Sequence, residues 1–224
     1  MALTISTRLK LSPKLLAMGI YSDFVFPMFY DQVVRHGIFA NDRHNLVGRA
    51  EGRVLEIGIG TGQNLEFYPA SISEIDAIDI NPGMAKQLFS KLKDSRVKVR
   101  FLLGSAEALP YKDQTFQTVV SGLTMCSIPD LQKALAEIKR VLIPGGQFIF
   151  IEHGLSADSK VARLQKFLNP VQNIIGCGCQ LTVDVEAELA KAGFELDDLK
   201  KDYVANYPKF IAYIYEGVAI NPKK

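Results

Sequence analysis

Val54-Leu55-Glu56-Ile57-Gly58-Ile59-Gly60-Thr61-Gly62 is the stretch that decides the fold. A short apolar, β-branched run reads as a buried strand, and the alternate glycines after it read as a turn opening a helix over Gly62 to Phe67. Glycines there let the backbone approach a ligand closely, and a helix N-terminus favours negative charge. In open α/β sheets such a turn lies at the carboxyl ends of the strands, where ligands bind. The rival is a dinucleotide-binding turn, Gly-x-Gly-x-x-Gly. Gly58 and Gly60 fit it, but the sixth position is Gln63. The strand also carries Glu56, and a carboxylate facing the pocket suits a cationic group better than a pyrophosphate. A bare structural turn is the remaining alternative.

Working outward, strands are expected over Ile75 to Ile80, Val97 to Leu103, Phe116 to Ser121 and Gln147 to Glu152. Helices are expected near Gly83 to Lys93 and over Leu131 to Leu142. The second is amphipathic, with Lys133, Glu137, Lys139 and Arg140 on its polar side. Pro144-Gly145-Gly146 turns the chain into the fifth strand. Strands separated by helices require a parallel sheet covered on both faces. A last helix runs from Thr182 to Ala192 and stops at Gly193. Phe194 to Leu199 and Phe210 to Tyr215 follow with no helix between them, which predicts an antiparallel hairpin at one edge of the sheet. The first 50 residues read as helical, broken near Pro27.

Composition narrows the field. The 224 residues are 48% hydrophobic and 22% charged, as in globular domains rather than disordered chains. The formal charge of +2, from 26 basic and 24 acidic side chains, is too balanced for bulk electrostatic binding of nucleic acid. Three cysteines make no disulfide framework, so a reducing cytoplasm is the expected compartment. No apolar run reaches the length of about 18 residues that a spanning helix needs; Leu15 to Tyr30 is cut by Asp23 and Pro27. Arg8, Lys10 and Lys14 among leucines form either a solvated helix face or a peripheral contact with an anionic membrane.

Asp79 closes the second strand. It can accept both hydroxyls of a ribose, or stand as a solvated cap ahead of Asn81-Pro82. After the third strand, Gly104-Ser105-Ala106-Glu107 offers amides and short polar side chains to a purine edge.

Taken in order, these motifs resemble the class I S-adenosylmethionine-dependent methyltransferases (methyltransferase type 11), in particular the branch with the ubiquinone and menaquinone biosynthesis enzymes. The resemblance covers about Arg53 to Glu152. It implies a Rossmann-like α/β sheet, mostly parallel with a C-terminal antiparallel hairpin. Residues 1–50 would form a helical cover and 51–224 the domain that binds S-adenosylmethionine and releases S-adenosylhomocysteine. Glu56, Gly58, Gly60 and Gly62 would cradle the methionine part and Asp79 the ribose. Ile80 and Met84 would flank the adenine, Ser105, Ala106 and Glu107 would meet its edge, and Ser121 would line the methionine end. Ser105 stands where the family often has Asp.

Glu152-His153-Gly154, Phe167-Leu168-Asn169-Pro170 and Gly178-Cys179-Gln180-Leu181-Thr182 extend the likeness. In this order they resemble the small methyltransferase-like proteins that methylate thiols in animals, and their bacterial relatives. The implied acceptor is a small lipophilic nucleophile: a thiol first, a phospholipid amine or quinol-type oxygen second. A thiol, with an ordinary pKa near about 8.5, is already partly ionised at neutral pH. His153 is the candidate base, or else a histidine hydrogen-bonded in the sheet rim or to Glu152. Cys177-Gly178-Cys179 is a poor tetrahedral pair with no partner set at a known spacing, so no metal is expected. Tyr21, Phe24, Phe26, Phe29 and Tyr30 read either as a flap, with Tyr21 and Tyr30 touching the cofactor's methionine end, or as ordinary packing. A nicotinamide-linked oxidoreductase and a non-catalytic cofactor-binding module are the other classes.

Overall fold

A computed structural model describes residues 40–223 together with Gly19, Tyr21, Phe26 and Pro27. The readings placed on Tyr30, Phe24, Phe29, Arg8, Lys10 and Lys14 lie outside the described residues. Five strands, β1 (Val54–Ile57), β2 (Glu74–Asp79), β3 (Lys98–Leu103), β4 (Phe116–Gly122) and β5 (Leu142–His153), pair in parallel. β6 (Glu195–Tyr203) and β7 (Tyr213–Ile220) form the antiparallel hairpin, with β7 against β5. The sheet order is β3-β2-β1-β4-β5-β7-β6. The chain moves outward one way from β1 and the other way from β4. The crevice at their carboxyl ends is therefore the topological switch point.

Helices close both faces: α1 (Ala40–Val47), α2 (Pro82–Lys91), α3 (Leu131–Val141), α4 (Ser159–Ile175) and α5 (Val185–Lys191). Side chains alternate across each strand. Leu55, Val119 and Phe148 meet Leu135 and Ile138 of α3 and Leu189 of α5 on one side. Val54, Val120 and Ile149 share the other side with Leu46 and Val47 of α1 and Leu88 of α2. The same alternation turns Glu56, between Leu55 and Ile57, toward the second side.

Two expectations change, and one element is unexpected. Residues 62–67 are not a helix but successive turns, with Leu65 N–H donating to Gly62 O and Phe67 N–H to Asn64 O. Left-handed Gly60 and Gly62 break a helical ladder there, so no helix dipole opens at this turn. β5 begins directly at Leu142, so Pro144-Gly145-Gly146 sits inside a strand irregularity rather than before it. The 17-residue α4, which sequence periodicity does not announce, starts at Asp158, whose side chain accepts from the amides of Lys160 and Val161.

Candidate active site

The glycine turn is held from three directions. Gly58 N–H donates to Ile78 O at 2.8 Å, and Gly60 N–H donates to Asp79 Oδ2 at 2.8 Å. Thr124 Oγ1 donates to Gly58 O at 3.3 Å. Gly58, with φ +65°, has no room for a side chain: a Cβ would lie 2.2 Å from Thr124 Oγ1. Such backbone packing is what glycine at this position provides.

Glu56 is 1% exposed. Its Oε1 accepts from Asn64 Nδ2 at 2.8 Å and its Oε2 from the Tyr68 hydroxyl at 2.9 Å. Burial dominates over these bonds and over the Arg43 charge, and raises its pKa to about 7. Neither Asn64 nor Tyr68 stands out in the sequence; both are ordinary polar residues of a turn until the fold turns them onto Glu56.

Asp79 is also buried, which pushes its carboxyl upward while the amides of Asn81 and Gly60 pull it down. Its Oδ1 accepts from Asn81 N–H at 2.7 Å. The helix cap is not Asp79 but Asn81, whose side chain accepts from Gly83 and Met84 amides. Ile80 N–H bonds the same carboxylate, whose two oxygens together keep acceptor capacity beyond these three amides.

Ile80 follows Asp79, and Met84 lies buried in the first turn of α2. The Ser105 loop is pinned beside them, since Gly104 N–H donates to Asp79 O at 2.8 Å. Ser105 Oγ accepts from Glu107 N–H, and Ala106 is buried against the sheet. The Glu107 side chain turns toward α3 instead, with Oε1 accepting from Asp130 N–H at 2.9 Å. Ser121, at the carboxyl end of β4, is 2% exposed and its Oγ has no hydrogen-bond partner among the described residues. Asn64 Oδ1 is likewise buried without one. Tyr21 is engaged elsewhere: its hydroxyl donates to Ile175 O at 2.8 Å.

The sequence singles out His153 and the Cys179 motif separately, but nothing in it shows that they meet or that Cys126 joins them. Cys126 sits in a 3-10 turn (Met125–Ser127) after β4, His153 ends β5, and Cys179 follows α4. Their sulfur and nitrogen atoms lie within 4.8 Å of one another. Cys126 Sγ is 3.6 Å from Cys179 Sγ, and His153 Nε2 is 2.8 Å from Cys179 Sγ. Two ligands sharing a tetrahedral zinc ion would stand about 3.5 Å apart, given its bond lengths. The 2.8 Å contact is therefore that of a hydrogen bond. Cys177 is not part of the group.

The Cys126 thiol donates to Cys179, which lowers the Cys179 pKa against the cost of burial; His153 and the Gln172 amide at 3.5 Å add to this. Burial opposes a charge on His153, yet the bond to Cys179 and the charges of Cys179 and Glu152 outweigh it and raise the ring to about 9. Both shifts favour the thiolate–imidazolium form of the pair. His153 Nδ1 is buried without a partner among the described residues. Glu152 accepts from the amides of Cys126 and His153 and is raised by burial. A general base needs a neutral ring, so this geometry suits His153 as a donor instead.

Residues 55–150 match the family model described as a methyltransferase domain. The rat thiol S-methyltransferase TMT1B is 35% identical over 148 residues, which are 64% of this chain and 60% of that protein. A phosphatidylethanolamine N-methyltransferase of Cereibacter sphaeroides is 28% identical over 127 residues, 56% of this chain and 62% of that protein. The chain thus spans less than two thirds of either relative's length. Among solved structures, the YcgJ protein of Bacillus subtilis superposes with a TM-score of 0.63 at 20% identity, covering 83% of this chain and 96% of that one. That likeness is one of fold. The strand order and the glycine turn at the switch point agree with these matches: the chain has the Rossmann-like fold of the class I methyltransferases, and residues 55–150 of it match the methyltransferase-domain model.

Proposed function

We propose that the chain transfers a methyl group from S-adenosylmethionine to a small lipophilic thiol. The residues present fit that cofactor. Asp79 and the left-handed glycines border a crevice where a ligand can approach the backbone closely, and the buried Ser121 hydroxyl there has no partner among the described residues. Glu56 would hold the cofactor's ammonium, Asp79 its ribose hydroxyls, and Ile80 and Met84 the faces of the base. When bound, the sulfonium supplies a methyl group already activated for transfer. What the chain must then do is align the nucleophile and keep water out.

The observation that carries the thiol reading is the buried thiolate–imidazolium pair of Cys179 and His153. His153 ends β5, Cys179 follows α4, and Cys126 ties the pair to the loop that leaves β4, which reaches Gly58 through Thr124. A site built to stabilise one sulfur anion offers His153 Nδ1–H to a second. The acceptor thiol would release its proton to water, accept the Nδ1–H bond as thiolate, and form the new S–CH3 bond as the old one breaks. The 35% identical rat relative, named for thiol S-methylation, agrees with this reading. Labelled-methyl transfer to alkyl thiols, phosphatidylethanolamine and reduced quinones tests it. Turnover with the thiols is expected; turnover confined to either other acceptor overturns the thiol assignment.

A further inference from the structure

α4 is amphipathic the wrong way round. Its inward side is polar and fully used. Gln165, 1% exposed, accepts from Ser156 N–H and donates to the carbonyls of Gly154 and Phe210. Asn169 accepts from Leu181 N–H, Gln172 donates to Cys179 Sγ, and Asn173 donates to Gly178 O. Its outward side carries Leu164, Phe167, Val171, Ile174 and Ile175, at the three- and four-residue spacing of one helix face. Phe167 is 79% exposed and Ile174 72% exposed. These five are most of the large exposed apolar side chains among the described residues. A stripe of this kind on a water-facing surface marks a binding face.

The charges say what it meets. Lys160, Arg163 and Lys166 are exposed on α4, and the helix contains no acidic residue. The adjacent Asp158 is occupied with the Lys160 and Val161 amides. A second copy laid on this face would bring like charges together, as would the chain's own Arg8, Lys10 and Lys14. An anionic bilayer offers apolar depth and negative charge at once.

We propose that α4 docks the protein on an anionic membrane surface, with Phe167 and Ile174 entering the headgroup–acyl boundary and Lys160, Arg163 and Lys166 meeting lipid phosphates. The proposal does not depend on the thiol assignment. Because α4's inner side holds Cys179, docking would set the second cluster directly behind the membrane face, within reach of nucleophiles dissolved in the bilayer. The Tyr21 hydroxyl donates to Ile175 O at one end of the same face.

Flotation of the full chain with phosphatidylcholine vesicles, with and without phosphatidylserine, tests this. Binding is expected with phosphatidylserine, weakening as salt rises. Phe167→Ser with Ile174→Ser should cut it about a hundredfold or more, since each large apolar side chain withdrawn from the acyl region is worth roughly tenfold or more. Lys160→Gln, Arg163→Gln and Lys166→Gln together should remove the preference for phosphatidylserine. Both positions of the apolar pair are exposed, so circular dichroism and S-adenosylhomocysteine binding should stay unchanged and show that the variant folds. No binding by the full chain overturns the proposal. So does binding that survives the α4 variants but falls with Arg8→Gln, Lys10→Gln and Lys14→Gln. Concentration-dependent dimerisation that the Phe167/Ile174 variant abolishes, without vesicle binding, would assign the face to a second copy and also overturn it.

Discussion

A carboxyl group held near neutrality beside a cation site makes cofactor affinity a function of pH, and Glu56 gives the size of the effect. Burial has raised it from 4.5 to about 7. Without ligand it therefore favours the neutral acid, and a folded-state pKa raised this way contributes stability that is full below about 4.5 and fades as pH rises through 7. The total is about 3 kcal/mol at 1.36 kcal/mol per unit. A bound ammonium reverses the preference and draws the proton off. Between pH 5.5 and 7 the ionised fraction of Glu56 climbs from about 3% to about half, so affinity for S-adenosylmethionine should rise about fifteen-fold. The ligand's amino group, with an ordinary value near about 7.7, stays mostly protonated over that range. Calorimetry in two buffers of different ionisation enthalpy should count close to one proton released per ligand at pH 5.5 and about half of one at pH 7. Glu56→Gln keeps the shape and partners of the side chain but cannot ionise; it should bind weakly and evenly across the range. A flat wild-type profile, or the same slope surviving in the variant, would refute the assignment of Glu56 to the ammonium.

Three further outcomes follow from the same geometry. His153→Gln should reduce thiol methylation by about a hundredfold or more, the scale for losing one buried donor, with cofactor affinity unchanged. Because the ring is raised to about 9, its charge and the stability that charge confers are full below about 6.5 and lost as pH rises through 9; wild-type activity should fall across that limb, and a matching fall in the variant would remove His153 from the reaction. Asp79→Asn sets an amide against the Gly60 and Asn81 N–H groups and removes two charge-assisted bonds, so S-adenosylhomocysteine should bind at least about tenfold more weakly by calorimetry; equal affinity would detach Asp79 from the cofactor. Gly58→Ala drives its Cβ into Thr124 at a left-handed φ and should cost about 3 kcal/mol in chemical denaturation. Adding Thr124→Gly should return all but the roughly 1 kcal/mol of backbone cost, and a double variant no more stable than the single would show that Thr124 is not the obstacle.

What could be read from the residues follows from how local each signal is. β1 and its glycines, Asp79 at the end of β2, and the amphipathic α3 all rest on neighbours a few positions apart, and periodicity reports such neighbours well. α4 escaped because that reasoning assumes apolar residues point inward; here Gln165, Asn169 and Gln172 do, and Pro170 within the helix argues further against it. The helix expected over 62–67 failed for the opposite reason. Its spacing was acceptable, but Glu56 draws both Asn64 and Tyr68 onto one buried carboxylate, and left-handed glycines precede them. The Cys126–His153–Cys179 cluster was out of reach altogether. Its members stand 53 and 26 residues apart, on three different elements, and the adjacent Cys177-Gly178-Cys179 pattern drew attention to the wrong pair.

The backbone records where the two halves of the site are joined. Four non-glycine residues among those described adopt positive φ, and two flank the second cluster: Leu123 at +54° and Cys177 at +52°. For a leucine this conformation costs about 1–2 kcal/mol, and such strain persists only where the surroundings impose it. Leu123 N–H donates to Ile151 O at 2.7 Å, which fixes the chain as it leaves β4. That one kinked segment carries the Ser121 hydroxyl, unpartnered among the described residues, the Thr124 contact to Gly58, and then Cys126, whose amide is held by Glu152 and whose thiol donates to Cys179. A relaxed turn of different shape would carry Thr124 off the glycine turn or Cys126 off Cys179. The strain at Leu123 is therefore the local cost of presenting the glycine turn and the sulfur cluster from the same few residues; under the proposed function, a methyl donor at one and a nucleophile at the other would share a single rigid support.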